Sequence, residues 1–94
     1  MRLMLKFTIP VAKGNEAAKK GTIGPAIEEL IKQTDAEAAY FFMEDGKRAG
    51  MVIFEATDQA RMTELNEPLM AALDAAITET PVLNLDDLKK GLPG

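Results

Sequence analysis

Apolar residues recur along this chain at two different periods. From Arg2 to Ile9 they alternate: Leu3, Leu5, Phe7 and Ile9 share one side of an extended chain, and Met4, Lys6 and Thr8 share the other. A period of two predicts a β-strand with one strongly apolar face. Pro10 ends it, because proline has no donor for the ladder. The period returns between Ala38 and Glu55, where two apolar runs flank Glu44-Asp45-Gly46-Lys47. Asp-Gly is a strong hairpin signal, since both central residues of a type I′ turn need positive φ. With those two at the tip, the pairing runs from Met43–Arg48 through Phe42–Ala49, Phe41–Gly50, Tyr40–Met51 and Ala39–Val52 to Ala38–Ile53. One hairpin face then carries Ala38, Tyr40, Phe42, Ala49, Met51 and Ile53. The other carries Ala39, Phe41, Met43, Val52 and Phe54, so both faces are apolar.

The helical period appears twice. Ile23, Ile27, Leu30 and Ile31 fall at i, i+4, i+7 and i+8, with Glu28, Glu29 and Lys32 on other faces, which predicts an amphipathic helix. Thr22 is its expected cap, and Pro25 is tolerated in its first turn. Before it, Lys13 to Gly21 is less regular: Asn15 is expected to cap a short helix through Lys20, with Gly21 as a left-handed stop. Met62, Leu65, Leu69 and Leu73 form the second stripe, capped by Thr57 or Asp58. Pro68 interrupts it and predicts a kink or restart near Asn66-Glu67. Ala75 to Leu83 reads as a fourth strand, with Pro81 marking an edge. Asn84 then caps a short last helix, with Asp86 and Asp87 in its first turn, Lys89 and Lys90 near its end, and Gly91 as its stop.

The resulting order, β-α-β-β-α-β with a terminal helix, is the ferredoxin-like split βαβ arrangement in one domain spanning residues 1–94. This is an α+β plait. Right-handed crossovers put the helices on one face of a four-stranded antiparallel sheet, with the first and third strands central. Leu3, Leu5, Phe7, Phe41, Val52 and Phe54 are expected to meet those helices. Ala38, Tyr40, Phe42, Ala49, Met51 and Ile53 are expected on the uncovered face. An apolar face left in water predicts self-association, so these six form the expected homodimer face.

Composition narrows the chemistry. Net charge is −4, which argues against nucleic acid and anionic membrane as partners. There is no cysteine and no histidine. That removes disulfides, thiolate nucleophiles, the commonest general base and the commonest metal ligand. No metal and no cofactor is expected. The apolar runs are too short for a signal peptide or a membrane span, and the expected location is the cytoplasm.

The order of elements, the length and the two-sided hairpin resemble the dimeric α/β-barrel superfamily. Three stretches also resemble a small group of uncharacterised bacterial proteins of similar length: Phe7-Thr8-Ile9-Pro10-Val11; Ala38-Ala39-Tyr40-Phe41 with Asp45-Gly46-Lys47-Arg48; and Pro81-Val82-Leu83-Asn84. The resemblance implies two ferredoxin-like protomers packed sheet to sheet, often around a cavity. Superfamily members include cofactor-free monooxygenases, isomerases, haem enzymes and stress or regulatory proteins. It therefore implies fold and dimerisation better than activity. Without histidine, the haem branch lacks its usual ligand.

Candidate chemistry rests on few residues. Lys6 and Thr8 share a face with Tyr40 and Met51, and a partly desolvated lysine there either binds an anionic ligand or pairs with a carboxylate, Glu79 being the expected one. Asn66, beside the proline, is a candidate for a pocket mouth. Lys6, Thr8, Tyr40, Met51, Asn66 and Glu79 are thus the candidate ligand-binding residues, for a small apolar or anionic molecule. No nucleophile or base stands out, so enzymatic activity is left open between a monooxygenase-like or isomerase-like enzyme and none. The alternative is a non-enzymatic interaction or stress-related dimer with a packed interior. Lys19-Lys20-Gly21-Thr22 lacks phosphate-loop spacing and reads as ordinary capping. The adjacent pairs Glu28-Glu29 and Asp86-Asp87 point apart on a helix and read as solvated surface.

Overall fold

A computed structural model describes all 94 residues, Met1–Gly94. The strands are β1 (Arg2–Ile9), β2 (Ala38–Glu44), β3 (Lys47–Glu55) and β4 (Ala76–Pro81); the helices are α1 (Val11–Lys20), α2 (Ile23–Thr34), α3 (Arg61–Leu73) and α4 (Leu85–Gly91). The sheet order is β2-β3-β1-β4 with every neighbouring pair antiparallel. This is the ferredoxin-like plait, with β1 and β3 central.

The hairpin has the register that its alternation and turn require, from Ala38 opposite Ile53 to Glu44 opposite Lys47. Asp45 and Gly46 both have positive φ, 50° and 74°, as a type I′ turn needs. β1 alternates cleanly between buried and half-buried residues. Leu5, Phe7 and Ile9 are almost completely buried, beside Val52 and Phe54 of β3. Against them pack Ala17 of α1, Leu30 of α2 and Leu65, Leu69 and Leu73 of α3. All of this core lies on one side of the sheet.

Several local expectations need correction. α1 begins at Val11, directly after Pro10, rather than at Asn15: the Gly14 N–H donates to the Pro10 carbonyl at 2.8 Å. Pro10 is extended and sits just outside the first turn, where its missing N–H costs nothing. Asn15 is therefore inside the helix, and its Oδ1 accepts from Arg48 at 3.2 Å. Thr22 occupies the cap position of α2 but makes no cap bond; its hydroxyl donates backward to the Ala17 carbonyl at 3.3 Å. Pro68 lies inside a continuous α3 without restarting it. Asp58 does act near the start of that helix, accepting from the Ala60 N–H at 2.9 Å. Asn84 and Asp87 form a full capping box on α4, as the last-helix pattern implied.

One core expectation fails by a specific cause. Phe41 lies on the helix-facing side, in register with Gly50 and Phe7, yet it is 53% exposed. The helix layer covers β1 and β3 and stops short of the β2 edge. Met43, on the same side, is 66% exposed for the same reason.

Gly50 is where the close packing of this edge is decided. A Cβ there would stand 2.7 Å from Phe41 Cδ1 and 2.7 Å from Phe7 Cζ. Phe41 has room to swing, but Phe7 is held in the core. Gly50→Ala is therefore expected to cost about 1–3 kcal/mol by overpacking, measured by chemical denaturation. A change within a few tenths of wild type would show that Phe7 is not tightly held.

Candidate functional site

Strand register sorts the candidate residues onto two sides of the sheet. β1 residue Lys6 pairs with Met51, which pairs with Tyr40; Thr8 pairs with Ala49, which pairs with Phe42. Lys6, Thr8, Tyr40 and Met51 therefore share the open face, as the alternation implied. With them are Met4, Ala38, Phe42 and Ile53. Tyr40 is 62% exposed. On the β4 side the same face turns polar, with Thr78 opposite Lys6 and Thr80 opposite Met4. All six expected dimer-face residues lie here. Ala49, however, is already buried within the single chain.

An ion pair crosses this face. Lys6 Nζ donates to Glu44 Oε1 at 2.5 Å, and each side chain keeps about a third of its surface exposed, 32% and 34%. The pair runs diagonally over the Thr8–Ala49–Phe42 row. The expected partner, Glu79, is on the other side of the sheet, because β4 sets Leu5 opposite Glu79 and Thr78 opposite Lys6. At the end of the same face, Arg2 donates from Nε to Glu37 at 2.5 Å and from Nη1 to Asp87 of α4. The hydrogen bond that Arg2 donates to Glu37 raises the guanidinium above its ordinary range, outweighing burial, so this charge is permanent.

Asn66 and Glu79 meet on the helix side. Asn66 Nδ2 donates to Glu79 Oε1, and the second amide atom, Oδ1, is buried without any partner. Glu79 also lines a cavity of about 550 Å³ together with Met1, Leu3, Met62 and the connection from Ala56 to Gln59. Glu67, next in the chain, is exposed. Asn66 touches Glu79 but is not among the residues that line this cavity, and the cavity's walls are separate from Lys6, Thr8, Tyr40 and Met51. In the Ala56–Gln59 connection the sequence marked only a helix cap at Thr57 or Asp58, not a cavity wall. The phase of β4 did carry a signal: Glu79 shares a face with Ile77, whose apolar side chain packs against the core. No group of three or more acidic side chains is arranged to hold a metal ion.

Compared with protein families and with curated proteins, the chain shows no match to either. Among solved structures it is similar to the periplasmic divalent cation tolerance protein CutA from Archaeoglobus fulgidus, at a TM-score of 0.44 and 16% identity, over 96% of this chain and 97% of that one. At that distance nothing of the CutA protein's activity transfers to this chain. No helix is long and apolar enough to cross a membrane.

A half-exposed ion pair contributes little on its own. Where single copies prevail in dilute solution, a double-mutant cycle of Lys6→Met and Glu44→Gln is expected to give a coupling of about 0.2–1 kcal/mol. A coupling of several kcal/mol in those conditions would contradict the exposure of the pair.

Proposed function

We propose that this chain works by self-association: two copies pack their open sheet faces together as in the dimeric α/β-barrel superfamily, and the interior between them is closely packed. The observation that carries this reading is the apolar cluster of Met4, Tyr40, Phe42, Met51 and Ile53 on a sheet face that no helix covers. Lys6 and Glu44 beside the cluster are paired with one another, and Lys47 stands opposite Glu44 at the rim of the same face. A second copy of this face removes apolar surface from water, at ~25 cal/mol per Å².

The same ion pair favours a packed interior over a ligand chamber. An anionic ligand among Lys6, Thr8 and Tyr40 would have to displace Glu44 from an ammonium that it already contacts at 2.5 Å. A dimer formed this way keeps both helix layers on the outside. The cavity beside Glu79 then stays open to solvent in each copy.

Sedimentation velocity tests the reading. The wild-type chain is expected to run as a dimer at micromolar concentration. Met51→Glu places an unpaired carboxylate in the centre of the interface, and its desolvation, roughly 3 kcal/mol or more, should weaken dimerisation at least about a hundredfold. A wild-type monomer at these concentrations, or a Met51→Glu variant that dimerises as tightly as wild type, would overturn it.

A further inference from the structure

The sheet has two edges, and only one of them is guarded. The Ala56 N–H donates to the Met1 carbonyl at 2.7 Å, and β1 and β3 keep that register throughout. Antiparallel ladders alternate, so Arg48, Gly50, Val52 and Phe54 turn their backbone groups toward β1, and Lys47, Ala49, Met51 and Ile53 turn theirs toward β2. The Ile53 carbonyl accordingly accepts from the Glu37 N–H at 2.8 Å. Across the hairpin register, Ala38, Tyr40, Phe42 and Glu44 are the residues that bond to β3. Ala39, Phe41 and Met43 therefore direct their N–H and carbonyl groups away from the sheet.

The β4 edge is different. The Val82 N–H donates to the Arg2 carbonyl at 3.1 Å, which sets Ile77, Glu79 and Pro81 as the outward residues of that strand. Pro81 has no N–H to offer and Glu79 brings a charge, two devices that keep other strands off an edge. Between Ala38 and Met43, β2 has neither proline nor charge. Its Tyr40, Phe41, Phe42 and Met43 side chains are exposed instead, on both sides of the sheet.

Outward donors and acceptors at alternate residues match one partner chemistry, another extended strand. β2 is its own complement. Laid antiparallel to a second copy about Phe41, it sets Phe41 opposite Phe41, Tyr40 opposite Phe42 and Ala39 opposite Met43. Every outward group is then bonded, aromatic side chains pair across the strands, and a small residue meets a large one. A shift of two residues either way sets Met43 against Glu37 or Ala39 against Asp45, both outside the strand. Charges at the ends agree with this arrangement. It brings the turn of one copy beside the start of β2 in the other, and neither Lys47 of the turn nor Asp35 before β2 has an ion pair within its own chain. Glu37, which falls opposite Asp45, is already held by Arg2. β4 is the poorer mate for β2, because Pro81 lacks a donor. The pairing therefore closes on a two-fold axis rather than growing into a filament.

We propose that β2 is a second self-association surface, at which two copies pair their β2 strands antiparallel about Phe41 and join their sheets into one. The two-fold axis of such a pair stands perpendicular to the sheet, so both open faces stay on the same side. Edge pairing and face packing are compatible, and together they build assemblies larger than a dimer. A single strand buries less surface than a whole face, so the edge is the weaker contact and forms at higher concentration.

Amide hydrogen exchange, read by NMR across a concentration series, tests the proposal. As concentration rises, exchange at Ala39, Phe41 and Met43 is expected to slow about tenfold or more, while Tyr40 and Phe42, bonded within each chain, are protected throughout. Met51→Glu, which weakens face packing, should leave this alternating protection in place, and that separates the edge from the face. Met43→Pro copies the device of β4. It removes an N–H that no bond within the chain uses, and by symmetry the same donor from the second copy, and should weaken the pairing about tenfold or more. Phe41→Lys sets two ammonium groups against each other at the axis and should abolish the protection of Ala39 and Met43. Fast exchange at Ala39, Phe41 and Met43 at every concentration, protection lost together with face packing in Met51→Glu, or protection unaltered in both edge variants would overturn the proposal.

Discussion

A four-stranded sheet has two faces, and this chain supplies a helix layer for only one. That constraint governs everything else in the molecule. The alternation of β1 commits Leu3, Leu5, Phe7 and Ile9 to the covered side, where α1, α2 and α3 complete the core. It also commits Met4, Lys6 and Thr8 to the side that nothing covers. The molecule measures only 17 Å along its thinnest axis, consistent with one sheet and one helix layer. A one-residue slip of β1 would exchange the two sets and place an ammonium in the core, so the register is strongly determined.

Besides the Arg2 ion pairs at the end of the open face, each face carries a half-buried polar pair: Lys6–Glu44 on the open side and Asn66–Glu79 on the helix side. Lys6 and Glu44 pair with one another beside the apolar side chains of Met4, Tyr40, Phe42, Met51 and Ile53 on the open side. On the helix side a neutral amide, Asn66, donates to the Glu79 carboxylate at the wall of a cavity.

Much of this was legible in the residues. The Asp45-Gly46 turn fixed the hairpin register, and the period of two in β1 identified the core face. The two helical stripes placed α2 and α3. What was not legible depended on tertiary reach. Sequence alternation puts Phe41 on the helix side but cannot say how far the helix layer extends, and the layer ends before β2. Lys6 has a long stem that reaches diagonally past its register neighbours to Glu44, while the nearer-seeming Glu79 is excluded by the phase of β4. Asn66 was singled out beside Pro68 as a pocket residue, yet it does not line the cavity beside Glu79, and its partner Glu79 came from a strand whose face assignment follows from Ile77. The Ala56–Gln59 wall has no periodicity, and only the folded chain brings it to Leu3 and Met62.

The central claim is that the uncovered sheet face is where two copies meet. Isotope-filtered NMR on a mixture of labelled and unlabelled chains observes contacts between copies directly. The account requires contacts that cross between copies among Tyr40, Phe42, Met51 and Ile53. Contacts between copies confined to α2, α3 or the Ala56–Gln59 connection, with the sheet face silent, would contradict it.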